Sequence, residues 1–144
     1  MNLGLLGAGL VMGISALGSA IGIGIAGAAT IGAWKKCYAA DKPAPMTLLA
    51  FAGAPLTQTF YGYILMLEMV KAAETNIGNG WMYIGFGIAS GLAIAASAIF
   101  QGKAGASAAD AQGETGKGFA QYIAVVGIVE TVALFAMVLT MISL

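Results

Sequence analysis

Charge is almost absent from four long stretches of this chain, and this pattern limits the possible folds more than any other feature. Residues 1–34, 43–67 and 75–102 contain no charged side chain, and residues 118–144 contain only Glu130. Each stretch supplies the roughly 20 apolar residues that a membrane-spanning helix needs. Charged residues make up 8% of the chain, against about 25% in soluble domains. The sequence therefore predicts an all-α membrane protein with four transmembrane helices and no soluble catalytic domain.

The four uncharged stretches form an internal repeat. The first and third stretches align at a constant offset, so that Gly7 and Gly13 recur as Gly85 and Gly91, and the second and fourth align more weakly. Because the halves of the chain repeat each other, we predict two tandem helical hairpins with the same orientation. The first hairpin covers residues 1–72, with spans at about 3–38 and 44–72, and the second covers residues 73–144, with spans at about 79–110 and 117–144.

The lysines divide unevenly between the two ends of the predicted spans. Lys71 lies near the second connection, and the other five flank the first and third connections: Lys35, Lys36, Lys42, Lys103 and Lys117. Because positively charged connections tend to remain in the cytoplasm, loops 1–2 and 3–4 are predicted to be cytoplasmic. Both termini are then predicted to lie outside, in a multi-pass protein of the cell membrane.

Several kinds of site are excluded by composition. The chain has no His and a single Cys, Cys37, which rules out histidine metal sites, cysteine clusters and an internal disulfide. A formal net charge of +0 leaves no basic surface for nucleic acid. Residues 22–27 match the GxGxxG dinucleotide fingerprint, but that motif requires a preceding strand and these residues lie in an apolar helix. We therefore expect no nucleic-acid partner and no organic cofactor.

Small residues follow one face of the first and third predicted helices. The glycines at helical spacing are Gly9, Gly13, Gly24 and Gly27 in the first helix and Gly87, Gly91, Gly102 and Gly105 in the third. Helices in lipid approach closely where small residues meet, so these glycines are predicted to pack an inner ring of odd-numbered helices. The second and fourth helices carry bulkier residues, such as Phe51, Phe60 and Phe135, and are predicted to face lipid.

The only acid in the last uncharged stretch is Glu130. A carboxylate near the bilayer centre costs roughly 2.5–3.5 kcal/mol on insertion scales, so an acid inside the membrane marks a functional site by default. The neighbouring residues are apolar and offer no polar face on which a solvated acid would lie. We therefore interpret Glu130 as the centre of a functional site.

Other polar side chains are predicted to lie at the same depth as this acid. Thr57, Gln58 and Tyr61 stand three, four and seven residues after Ala54, so the four residues share one face of the second helix. The third helix contributes Gln101. Counting about 1.5 Å per residue from the cytoplasmic ends brings both glutamines level with the acid to within about one turn. The sequence thus predicts a polar cluster near the middle of the membrane.

This set of polar groups favours a hard monovalent cation. One carboxylate, two amide oxygens and a hydroxyl make an all-oxygen shell with a single negative charge, and transporter sites near the bilayer midplane bind Na⁺ or H⁺ in this way. A proton needs only the carboxylate, so the two glutamines favour Na⁺. The alternatives are H⁺ as the bound ion, and a packing role in which Gln and Thr only hydrogen-bond between helices.

These residues resemble a known family. The two hairpins, the Pro-Leu-Thr-Gln-Thr-Phe-Tyr-Gly run at residues 55–62, Gln101 and the Val-Glu-Thr run at residues 129–131 resemble the membrane-rotor proteolipid of V-type and A-type ATPases. The resemblance covers the whole chain and points to the sodium-translocating bacterial branch, in which this proteolipid is often called K or c. It implies a c-type rotor ring of identical subunits, and an ATP-driven or ATP-synthesising machine whose catalytic site lies outside this chain.

The same resemblance implies the partners of the ring. A stator subunit with a membrane arginine would release the ion, a central-stalk subunit would dock on the cytoplasmic loops, and lipid would surround the ring.

Two other classes of protein fit less well. A small proton-coupled exporter of four helices does not explain the tandem repeat or an acid in the last helix, and a structural four-helix channel does not explain the polar cluster.

The family pattern also assigns the ligands of one Na⁺ (or H⁺) per subunit. Transferred position by position, the ion-binding residues are Thr57, Gln58, Gln101 and Glu130, with the backbone carbonyl of Ala54. Tyr61 matches the tyrosine that hydrogen-bonds the carboxylate.

Overall fold

The computed structural model describes residues 2–144 and is built from helices. In chain order these are α1 (Leu3–Ala39), α2 (Leu48–Gly53), α3 (Thr57–Thr75), α4 (Gly80–Thr115) and α5 (Phe119–Ile142), with 3₁₀ turns at Ala54–Leu56 and Ile77–Asn79. The all-α prediction is confirmed. Met1, the first residue of the predicted hairpin 1–72, lies outside the described residues.

Three helical segments within residues 2–144 are long and apolar enough to cross a membrane: Leu3–Ala39, Ile77–Thr115 and Phe119–Ile142. The second predicted span does not meet the same criterion, because it is divided into α2 and α3 by the turn at Ala54–Leu56 and because α3 carries Glu68, Lys71 and Glu74 near its end. Pro55 explains the division, since proline has no N–H to continue the helical ladder. The chain is thus a membrane protein with several apolar helices, and the fourth crossing and the ring remain predictions.

α1 and α4 run parallel to each other and share the largest interface in the molecule. A Cβ atom on Gly102 would meet the backbone of Gly22, and one on Gly7 would meet the backbone of Tyr83. At the other end, the Cys37 thiol donates to the carbonyl of Gly113 at 3.3 Å. Small residues at these crossing points let the two backbones come close, as in other membrane helix pairs.

α3 and α5 pack on the outside of this central pair. α3 runs antiparallel to α1, since Gly62 lies against Ser15 while Asn2 donates to the carbonyl of Ala73 at 3.0 Å. α5 runs antiparallel to α4 after a tight turn in which Gly116 and Gly118 have φ angles of 69° and 89°, a region that glycine adopts without steric cost. The result is two antiparallel helix pairs side by side, and α3 and α5 also contact each other, for example at Tyr61 and Glu130.

The predicted ring-packing glycines fall into two groups. Those on α4 are buried, and in all four a Cβ would contact a neighbouring helix: Gly87, Gly91, Gly102 and Gly105. Those on α1 have open space around the Cβ position, and three of the four are exposed: Gly9, Gly13 and Gly24, with Gly27 partly buried. The predicted glycine faces of α1 and α4 therefore do not contact each other inside one chain, because α1 presents a different set of glycines to α4.

The expectation that Phe51 faces lipid is wrong. Its side chain has no exposed surface and its ring centroid lies 5.4 Å from that of Phe119. The cause is the division of the second span, which lets α2 pack between α1 and α4. Phe60 and Phe135, in contrast, are 57% and 64% exposed.

Candidate functional site

The carboxylate of Glu130 lies where α3, α4 and α5 meet. Glu130 is partly buried, and each of its oxygens accepts a hydrogen bond from a different helix. The hydroxyl of Tyr61 on α3 donates to Oε1, and Nε2 of Gln101 on α4 donates to Oε2 at 3.1 Å. Hydrogen bonds that end on an ionised acceptor are stronger than neutral ones. Both contacts therefore fix the position of the carboxylate relative to α3 and α4.

The two glutamines form a buried pair between α3 and α4. Gln58 and Gln101 have no exposed surface, and Nε2 of Gln58 donates to Oε1 of Gln101 at 2.8 Å. Besides its bond to Glu130, Nε2 of Gln101 donates to the carbonyl of Val126 at 3.0 Å. An amide nitrogen has two hydrogens, so both donors of Gln101 are used and its orientation is fixed by α5.

A group of three oxygens lies next to this pair, at the break in the second span. Oγ1 of Thr57 is 3.0 Å from the carbonyl oxygen of Ala54 and 3.2 Å from Oε1 of Gln58. A hydroxyl has a single hydrogen, so it satisfies only one of these two oxygens at a time. In the other contact, two oxygen lone pairs face each other with no hydrogen between them. A cation bound between these oxygens would remove that repulsion.

The local fold explains why these oxygens converge. Pro55 replaces one helical turn by the 3₁₀ turn Ala54–Leu56, in which the N–H of Thr57 donates to the carbonyl of Ala54. α3 then resumes with Thr57 and Gln58 as its first residues. The side chain of Gln58 therefore enters the interface with α4 directly beside the bent backbone.

All six residues singled out from the sequence belong to one connected network. It runs from the Ala54 carbonyl through Thr57, Gln58 and Gln101 to Glu130, and ends at Tyr61. The network offers one negative charge and several neutral oxygens, a donor set suited to a hard monovalent cation. The carbonyl of Val126 is a member that the sequence did not predict, because backbone acceptors leave no trace in residue identity.

The face of α5 that points away from the site is exposed. Ile128 and Val132 lie two residues from Glu130 on either side, which places them on nearly the opposite face of the helix, and they are 68% and 57% exposed. Val126 and Ala133 share the helix face of Glu130 and are 2% and 0% exposed. The partly buried carboxylate therefore lies toward the interface with α3 and α4, and the apolar face of α5 points outward.

Comparison with known proteins gives two matches. Residues 84–143 match the model of the family described as the C subunit of ATP synthase. Over 142 residues, 99% of this chain, the sequence is 33% identical to the K subunit of the A-type ATP synthase of Methanocaldococcus jannaschii. The chain spans 61% of the length of that relative.

These matches bear on several predictions. They confirm the resemblance to the c and K subunits of ATP synthases. Both names are those of ATP synthase subunits, which agrees with the prediction that this chain carries no catalytic site. The assignment to the sodium-translocating branch remains a prediction.

Proposed function

We propose that this chain is the ion-carrying subunit of the rotating membrane ring of a V-type or A-type ATPase, and that it binds one Na⁺ as its cargo. The proposal rests on the similarity to the C and K subunits of ATP synthases and on one observation above all. Gln58 and Gln101 are completely buried, hydrogen-bonded to each other, and connected to the Glu130 carboxylate.

The hydrogen-bond inventory favours Na⁺ over H⁺ as the ion. Both Glu130 oxygens already accept hydrogen bonds, and an ionised carboxylate in the membrane also needs a positive charge nearby. No Lys side chain within residues 2–144 hydrogen-bonds to Glu130. Leaving a charge unpaired in an apolar environment costs several kcal/mol. A cation that takes the free lone pairs of Thr57, Gln58 and Ala54 would supply the missing charge.

The mechanism follows from the charge of the site in its two states. A site loaded with Na⁺ is neutral and can face lipid, whereas an empty ionised site cannot do so cheaply. Only loaded subunits would therefore turn through the lipid, and empty ones would face water or a basic side chain of a stator subunit. Each elementary charge that crosses 100 mV is worth about 2.3 kcal/mol. ATP hydrolysis or synthesis would thus be coupled to several small ion steps per turn.

A ring would also explain why one glycine-rich face of α1 has no packing partner within residues 2–144 of the chain. Gly9, Gly13 and Gly24 have open space where a side chain would be, and small residues permit close helix packing in lipid. We infer that this face contacts the neighbouring subunit of the ring. The remaining partners in the proposal are a stator subunit with a membrane arginine and a central stalk on the loops around Lys36 and Lys117, taken as cytoplasmic.

The test is protection of Glu130 from a carboxyl reagent. The purified oligomer is treated with dicyclohexylcarbodiimide at a fixed, mildly acidic pH, and the labelled fraction is measured by mass spectrometry as Na⁺ is raised, with K⁺ as the control for ionic strength. Glu130→Gln supplies the background.

We expect Na⁺, and not K⁺, to slow the labelling of Glu130. A labelling rate that does not change with Na⁺ would contradict the sodium proposal. The coupling ion would then be H⁺, and the glutamines would have only a packing role. Oligomer size on a native gel separates the rotor from a small exporter, since we expect about ten copies in a ring and about two in an exporter.

A further inference from the structure

Ser97 on α4 differs from the other helical serines for which a hydrogen bond is resolved. Ser90 and Ser107 each donate to the carbonyl four residues earlier in their own helix, which is the common local bond of a helical serine, and Ser143, directly after α5, donates in the same way to Leu139. Ser97 instead donates across the interface, from Oγ to the carbonyl of Val129 on α5, at 2.9 Å. The side chain is 5% exposed, so water does not compete strongly for this bond.

The accepting carbonyl is next to the proposed ion ligand. The Val129 carbonyl belongs to the peptide bond that leads into Glu130, so the Ser97 hydroxyl restrains the backbone from which the carboxylate extends. One turn further along α4, Gln101 holds the carbonyl of Val126 at 3.0 Å. Two side chains on one face of α4 thus bind two α5 carbonyls that are three residues apart, and Glu130 follows directly after the second of them.

We propose that Ser97 is a positioning residue for ion binding: it holds the α5 backbone at Glu130 in the register that the site requires. The proposal rests on the assignment of Glu130 as the ion-binding carboxylate. In each cycle the carboxylate is loaded, emptied and loaded again, and its partners Tyr61 and Gln101 belong to other helices. A backbone restraint beside Glu130 would return the carboxylate to the same place each time.

A purely structural role for Ser97 is the competing explanation, and the chain offers a matched control. Ser90 is on the same helix and is also 5% exposed, but its hydroxyl binds the Phe86 carbonyl of its own helix. Ser90→Ala and Ser97→Ala each remove one nearly buried hydroxyl from α4. They differ in whether the lost bond connects to the backbone at Glu130.

The experiment measures the Na⁺ concentration that half-protects Glu130 from carbodiimide in the purified oligomer. Residues that orient a metal ligand typically change metal affinity by about 10- to 100-fold when mutated. We expect Ser97→Ala to raise the half-protecting concentration about tenfold, at the lower end of that range, and Ser90→Ala to leave it within twofold. A Ser97→Ala value within twofold of the wild type overturns the proposal. If Ser97→Ala does not assemble, Ser97→Cys replaces it, because a thiol has similar size but is a weak donor; an unchanged value in that variant also overturns the proposal.

The design separates this proposal from the sodium assignment. If Na⁺ does not protect the wild type, the sodium assignment fails and the labelling rate of Glu130 at fixed pH without Na⁺ decides the role of Ser97. A rate that changes at least threefold in Ser97→Ala and not in Ser90→Ala supports positioning. Equal rates in the wild type and both variants overturn it.

Discussion

Replacing Gln58 by Met tests whether the buried glutamines bind the ion or only join helices. Met has a similar length and no amide, so Gln58→Met removes Oε1, a proposed ligand, and the 2.8 Å bond to Gln101 with little change in volume. Because both side chains are fully buried, no bulk water replaces the lost groups. Leaving the Gln101 oxygen without its donor costs about 1–3 kcal/mol of stability.

The effect on Na⁺ affinity follows from the lost oxygen. A contact with a charged partner contributes about 1.5–3 kcal/mol, and each 1.4 kcal/mol is tenfold in affinity, so the half-protecting Na⁺ concentration rises roughly 10- to 150-fold. The assay is the protection of Glu130 from carbodiimide, with thermal disassembly of the oligomer measured in parallel.

The control is Gln121→Met, at an exposed position of α5. We expect this variant to change neither the half-protecting Na⁺ concentration nor the thermal stability of the oligomer. If Gln58→Met lowers the thermal stability while the half-protecting concentration stays within twofold of the wild type, the glutamines are packing residues and the ligand assignment is refuted.

Two further predictions follow from the same contacts. Tyr61→Phe removes the hydroxyl that donates to Glu130 and is expected to weaken Na⁺ protection roughly tenfold, as for one bond to a charged group, with the assembled oligomer intact; unchanged protection would remove Tyr61 from the site. Gly102→Ala places a Cβ against the backbone of Gly22, whereas Gly24→Ala meets open space in one chain. We therefore expect overpacking to destabilise Gly102→Ala by about 1–3 kcal/mol, so that dissociated chains of this variant lose their helical signal at a lower temperature. Gly24→Ala is expected to lower only the stability of the oligomer. Equal loss in dissociated chains of both variants would contradict the packing of α1 on α4.

The polar site was the most predictable part of this protein. Glu130 is the only acid in its stretch, and the spacing of Thr57, Gln58 and Tyr61 places them on one helix face. Depth along each helix follows from a constant rise per residue, so the convergence of these residues with Gln101 could be estimated without coordinates. The structure brings them into one hydrogen-bonded network.

The packing around the site was less predictable. α1 carries glycines on more than one face, so spacing alone could not identify Gly7 and Gly22 as the positions that contact α4. The burial of Phe51 depends on how Pro55 divides the second span. This is a tertiary effect, whereas the large apolar side chain by itself suggests exposure to lipid. Backbone acceptors such as Val126 depend only on geometry, which the sequence does not encode by residue type.

The most direct test of the central claim is ATP-driven uptake of ²²Na⁺ into liposomes that contain the whole ATPase, with and without a protonophore. If this chain carries Na⁺ at Glu130, uptake continues when the protonophore collapses any proton gradient, and it is lost in Glu130→Gln complexes whose ring is still assembled. Uptake that disappears with the protonophore would show that Na⁺ moves only in exchange for protons. Uptake that survives in assembled Glu130→Gln complexes would contradict the assignment of the site itself.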